Sequence, residues 1–331
     1  MKKRVDEYER NSKLEKLITE INELIGSIEI SKYRNENDFL FPQIYVIGTP
    51  RCGNTLMMQW IASLNQIGFP SNFMARFYRN PYLGIKLQQM LFEPEYDYRN
   101  ELGLSTSNAV NFKSNLGKTK GAIEPNEFWY FWRRFIKKTD EINENEILEF
   151  DYDSFMGDLK LIHKAFQKPF AMKGNIMYLN INKLNEIYSK SIFIYVKRQL
   201  LQNAQSIYEA RKKFYGESKY WYGIKPINYI SIADKSPFDQ IANQVLKVNE
   251  QIELQLDLLP EKNKLVVNYE DFCAKPRKVF FELREKLSLN GFEIEDKYES
   301  ALNFKVSNDI RLTNFEIEQF KNSFNNLGIS I

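Results

Sequence analysis

The run Gly48-Thr-Pro-Arg-Cys-Gly-Asn-Thr55 gathers groups that hold an oxyanion. Gly48 and Gly53 stand five positions apart, Arg51 lies between them, and Thr55 opens a helical pattern behind a short apolar strand. Backbone N–H groups, a hydroxyl and a cation then converge at a helix N-terminus, where phosphate or sulfate binds. A nucleoside triphosphate loop reads Gly-x-x-x-x-Gly-Lys-Ser/Thr. Here Asn54 stands where the lysine would be, and the cation has moved to Arg51. A cation at the side of the loop suits a fixed anion with no metal between its phosphates.

Other chemistry-bearing residues sit at the ends of apolar runs. Arg198 closes the run 191–197, and Ser206 follows eight residues later in a helical segment. A guanidinium and a hydroxyl so placed can share one phosphate, and Arg211, five residues further on, could assist. Lys173 ends the run 169–173. Glu124 and Glu127 precede the aromatic stretch Phe128, Trp129, Tyr130, Phe131, Trp132 and Phe135. Each has a plainer reading beside the chemical one. Arg198 can be a solvated strand-end charge, Lys173 a snorkelling lysine, Glu127 a carboxylate favoured by a helix dipole, and the aromatics core. The one histidine, His163, lies on an amphipathic helix away from the strand ends and reads as structural or surface.

The elements that must position these groups follow from hydrophobic periodicity. Strands are expected at 44–49, 169–173, 191–198 and, with a turn, within 264–271, with a short strand end at 121–124. Helices are expected at 11–29, 55–64, 83–92, 128–137, 159–166, 178–188, 203–214, 240–259 and 277–287. Polar residues 31–38 link the first helix to the first strand, 95–120 reads as an insertion, and 139–147 as an acidic loop. Strands without polar alternation, each followed by a helix, imply a parallel sheet covered on both faces. The expected fold is α/β: one P-loop-like three-layer domain over 41–331, with a helical extension at 1–40. Thr49, Glu124, Lys173 and Arg198 then point into one crevice at the carboxyl ends of the strands.

Composition narrows the function. The 331 residues carry a formal charge of +3 and are 43% hydrophobic, enough for a large core and too neutral for a nucleic-acid footprint. Two cysteines far apart, Cys52 and Cys273, make no disulfide framework. The basic N-terminus is followed by no apolar run, and no apolar run approaches membrane-spanning length. A soluble, cytoplasmic protein is expected, with no nucleic acid or membrane span. No cluster of metal-ligand residues stands out, so no metal is expected.

The loop resembles the phosphosulfate loop of the sulfotransferases that use PAPS (3′-phosphoadenosine 5′-phosphosulfate), which reads Pro-Lys/Arg-Ser/Ala-Gly-Thr/Asn-Thr. Pro50-Arg51-Cys52-Gly53-Asn54-Thr55 matches it, with Cys52 in place of a small residue. The resemblance extends in pieces over 42–288 and lies nearest the carbohydrate and tyrosyl-protein branches, which use a carboxylate base. It implies that residues 50–55 hold the 5′-phosphosulfate and that Arg198 with Ser206 holds the 3′-phosphate, although Arg198-Gln199-Leu200 departs from the family's Arg-Asp-Pro. It implies that Lys173 contacts the bridging oxygen and that Glu124 is the base, with Glu127 as runner-up. Tyr269-Glu270-Asp271 and Pro276 resemble a late structural element of the family. Arg76 and Arg79 would face the acceptor, expected to be a carbohydrate hydroxyl, and the loop bearing Tyr220, Trp221 and Tyr222 could cover adenine. The late Arg-Lys-Gly loop of many members is not evident. Two rivals remain at this point: a P-loop kinase, and a non-catalytic nucleotide-binding module of the same fold.

Overall fold

A computed structural model describes residues 4–9, 11–26, 41–96, 99, 101–104, 110–136 and 149–331. The expected linker 31–38 and acidic loop 139–147 lie outside these residues. In chain order the elements are α1 (Ser12–Gly26), β1 (Gln43–Ile47), α2 (Asn54–Ser63), α3 (Pro81–Phe92), α4 (Trp129–Arg133), α5 (Tyr152–Phe166), β2 (Phe170–Lys173) and α6 (Ile181–Ile187). Then come β3 (Ser191–Lys197), α7 (Leu200–Tyr215), α8 (Tyr229–Ile232), α9 (Pro237–Asp257), β4 (Lys264–Asn268), α10 (Tyr269–Ala274), α11 (Pro276–Leu289) and α12 (Asn314–Asn325).

The four strands form one parallel sheet in the order β2-β1-β3-β4. Successive side chains of a strand face opposite sides, and here both sides are apolar. Tyr45, Phe170, Phe193 and Tyr195 pack against Trp132, Phe155 and Ile252 on one face. Ile44, Val46, Ile194 and Val196 pack against Met57, Trp60, Phe280 and Leu283 on the other. This is why the strands read as unbroken apolar runs, and each such side chain contributes roughly 1.5–3 kcal/mol when fully buried. A third apolar cluster joins Ile207 of α7, Val245 of α9 and Phe320 and Phe324 of α12. The α/β architecture with helices on both sheet faces is the expected one.

Three local expectations are corrected. Residues 121–124 form no strand; an isolated bridge pairs Ser71 with Pro125 beside them, so Glu124 is not a strand end. The aromatic helix is only Trp129–Arg133, because Phe128 precedes it in the left-handed region at φ 54°. α12 was not expected at all, although Thr313 and Glu316 form a capping box at its start. No described helix is long and apolar enough to cross a membrane.

His163 is part of the core. It is fully buried, its Nε2 lies 3.1 Å from Gln43 Oε1 on β1, and Tyr188 meets its ring edge-on. Burial pushes its pKa down from 6.5 to about 3. The unfolded chain therefore takes up a proton that the folded chain refuses. That contribution to stability is complete above pH 6.5 and is lost as pH falls toward 3. Between pH 7 and pH 4 the stability advantage of the wild type over His163→Asn should shrink by about 3 kcal/mol, measured by urea denaturation at each pH. A constant difference across that range would contradict a neutral buried imidazole.

Candidate active site

The carboxyl end of β1 runs into a turn whose backbone no ordinary sequence would follow. Arg51 lies at φ 68° and Gly53 at φ 120°, both in the left-handed region. Gly53 is the N-cap of α2, and a Cβ there would stand 2.5 Å from the ring of Tyr269. Only glycine satisfies both conditions. The first amides of α2 have no intrahelical acceptor, as at any helix start, and the helix dipole adds positive potential there. The first bond back into the loop is from Met57 N–H to the Gly53 carbonyl.

The side chains of the loop divide into those facing inward and those forming the site. Asn54 is buried. Its Nδ2 donates to Asn175 Oδ1 at 2.9 Å, and its Oδ1 accepts from the Cys52 thiol at 3.2 Å. The position that holds a lysine in nucleotide triphosphate loops is thus spent on tying α2 to the turn after β2. Burial pushes the Cys52 thiol up to about 11, so it stays protonated and serves packing. Cys273 is likewise buried and free.

Arg51 Nε donates to Ser206 Oγ at 3.3 Å, and Arg198 Nη1 donates to the Arg51 carbonyl at 3.0 Å. The sequence reading paired Ser206 with Arg198; the structure instead bonds each of them to Arg51, Ser206 to its side chain and Arg198 to its carbonyl. Arg198 also bonds Ser307 O and Asn308, and its guanidinium lies 4.7 Å above the ring of Tyr269. Its Nε is buried without a partner. Burial pulls Arg198 below its usual pKa, against the opposing pull of Tyr269 and Glu270. No described carboxylate forms an ion pair with Arg51 or Arg198. Two cations and an orphaned donor beside a helix start, with no ion pair to a described carboxylate, fit a bound anion.

A second chain of contacts crosses the loop. Lys173, at the end of β2, donates to Thr55 Oγ1 at 2.8 Å and to Glu127 Oε1 at 3.0 Å. Sequence reading favoured Glu124 over Glu127. The structure brings Glu127 to Lys173, whereas Glu124 is buried and its Oε1 accepts from the Asn111 N–H at 2.6 Å. No sequence signal marks the Lys173–Glu127 pair, because the partners lie 46 residues apart and on different elements. Tyr222 touches Arg51 and donates to the Leu116 carbonyl at 3.3 Å, while Gly223 packs on Pro50. Part of the 220–222 aromatic loop therefore borders the 48–55 loop.

Other candidates lie elsewhere. Arg211 is fully buried, bonded to Gln240 at 2.7 Å and stacked on Trp221, and burial drops its pKa to about 10. Arg311 forms two 2.7 Å bonds to Glu209. Arg76 and Arg79 are exposed and lie beside α1, whose Asn22 bonds the Arg76 carbonyl and the Arg79 N–H. Among the described residues no group of three or more His, Cys, Asp or Glu could hold a metal ion.

The Gly53 geometry yields a direct test. Gly53→Ala should lower stability by about 2 kcal/mol, from the left-handed backbone and the clash with Tyr269 together, seen as a lower urea midpoint. An unchanged midpoint would mean that the loop is not held against Tyr269.

No curated protein matches the chain. Among solved structures, sulfotransferase STF1 from Mycobacterium tuberculosis H37Rv is 12% identical, with a TM-score of 0.50 over 87% of this chain and 77% of that one. The sulfotransferase from Alicyclobacillus acidocaldarius is 13% identical, with a TM-score of 0.43 over 86% and 92%. The sulfotransferase domain from the curacin biosynthetic pathway is 16% identical, with a TM-score of 0.41 over 75% and 74%. At these identities the likeness to STF1 concerns the fold. The sequence model described as the sulfotransferase family matches residues 42–293, most of the chain and every strand of the sheet. The chain belongs to the sulfotransferase family.

Proposed function

We propose that this sulfotransferase takes its sulfuryl group from PAPS and passes it to an acceptor hydroxyl. The observation that carries the reading is the cluster of Arg51, Arg198 and Ser206 at the start of α2, two cations without a carboxylate partner. Residues 50–55 would receive the 5′-phosphosulfate, and Arg198 with Ser206 the 3′-phosphate. Asn54, bonded to Asn175, leaves the loop without the lysine that Mg-ATP chemistry uses. A carbohydrate hydroxyl is the acceptor we favour, since the available bases are carboxylates.

In this reading the acceptor oxygen attacks sulfur in line as the bond from sulfur to the leaving phosphate oxygen breaks. Lys173, Arg51 and the loop amides meet the negative charge growing on that oxygen. The acceptor's proton passes to a carboxylate. Of the two candidates we favour Glu127 over Glu124, because Glu127 sits on Lys173, whereas Glu124 holds Asn111 with one oxygen and buries the other without a partner. We also read residues 41–331 as one catalytic domain with 1–40 as an extension, and two buried free thiols suit a reducing compartment such as the cytoplasm.

Calorimetric titration should show adenosine 3′,5′-bisphosphate binding better than AMP or ATP, unchanged by Mg²⁺ or EDTA. Preference for Mg-ATP would overturn the reading in favour of a kinase. Arg198→Ala should weaken the bisphosphate by roughly 10–100-fold while AMP hardly changes, the scale of one charged hydrogen-bonding partner. Glu127→Gln should keep nucleotide binding and lose turnover by ~100-fold or more. A larger turnover loss in Glu124→Gln would move the base to Glu124.

A further inference from the structure

Residues 111–121 cross the candidate site as a strap that the proposed chemistry leaves unused. At its apex Asn115 and Lys118 exchange two backbone hydrogen bonds of 2.9 Å, with Leu116 at φ 47° and Gly117 at φ 85° between them. This is a two-residue hairpin turn with both central residues left-handed. The strap is fastened along its length. Gln59 of α2 donates to the carbonyls of Asn111 and Lys113, Glu124 accepts from the Asn111 N–H, and Tyr222 donates to the Leu116 carbonyl. Asn72 holds the returning leg through the Gly121 carbonyl.

The pinned apex sits against the site. A Cβ at Gly117 would lie 3.1 Å from Glu127 Oε1, 3.5 Å from Thr55 Oγ1 and 3.9 Å from Arg51 Nη1. One backbone point thus faces the base candidate, the first hydroxyl of α2 and the loop cation. Any side chain at 117 would fill the space that those three groups share.

We infer that Gly117 forms the wall against which the sulfuryl group of the donor sits, and that it is kept free of a side chain to leave room for that group and the incoming hydroxyl. The inference rests on the donor reading given above. It makes 117 a specificity-determining position: it discriminates the sulfated donor from the desulfated product, and the adenosine end of the nucleotide is indifferent to it.

The test compares two nucleotides that differ only by the sulfuryl group. Gly117→Asn is the variant of choice, because asparagine accepts the left-handed backbone while adding a side chain. By calorimetry its affinity for adenosine 3′,5′-bisphosphate should stay within roughly threefold of wild type, and its affinity for PAPS should fall by about tenfold or more. Equal losses for both nucleotides, or no loss for either, would overturn the assignment. Hydrogen exchange on the wild-type chain checks it without a variant. PAPS should slow the amides of 115–118 more than the bisphosphate does, and equal slowing again overturns it. A wild-type chain that binds neither nucleotide would instead refute the donor reading itself.

Discussion

Asn203 of α7 bonds both Thr49 and the Pro50 carbonyl, and Arg198 bonds the Arg51 carbonyl, so three successive residues of the β1–α2 turn are gripped from beyond β3. This grip is the constraint on which the site depends. A non-glycine residue in the left-handed region costs of order 1–3 kcal/mol, and Arg51 adopts it. Hydrogen bonds worth about 1 kcal/mol each offset that cost only if the donors on α7 and at the end of β3 are themselves rigid. They are rigid because α7 packs on α9 and α12 and because β3 pairs on both sides. The apolar clusters far from the loop thereby determine where its amides point.

Charge is distributed unevenly across the crevice. At one end Arg51 and Arg198 form no ion pair with a described carboxylate, though Glu270 lies near Arg198 and Glu127 shares a space with Arg51. At the other, Lys173 is paired with the half-exposed Glu127. An anion approaching Lys173 therefore competes with a carboxylate already there. In the proposed reaction this same pair would present the proton acceptor.

Much of this was legible in the chain. Both faces of the sheet are buried, so the strands read as apolar runs and their ends located Lys173 and Arg198. The turn chemistry of 48–55 located the glycine-bearing loop before α2 without any tertiary information. What escaped reading was what long-range contacts decide. Glu124 and Glu127 are alike in local sequence, and only the fold of 110–136 assigns one to Asn111 and the other to Lys173. The strap lies in a polar stretch without periodicity, although a left-handed turn at Asn115-Leu116-Gly117 is compatible with its Asn and Gly. α12 escaped because its apolar positions Phe320 and Phe324 pack on helices rather than on the sheet.

The strand order β2-β1-β3-β4 carries a consequence for how the protein is made. Gln43 at the start of β1 pairs with Phe170 on one side and Ser191 on the other, so the central strand waits for partners encoded far downstream. Such a topology has high contact order, and its pairing is slow and late. At ribosomal speeds of about 5–20 residues per second, β1 and the loop behind it spend roughly six to twenty-five seconds without either neighbour. During that interval the chain exposes an apolar strand that has no edge to join. A nascent chain in that state is a natural client for chaperones, and the 48–55 loop is among the last features of the molecule to acquire its shape.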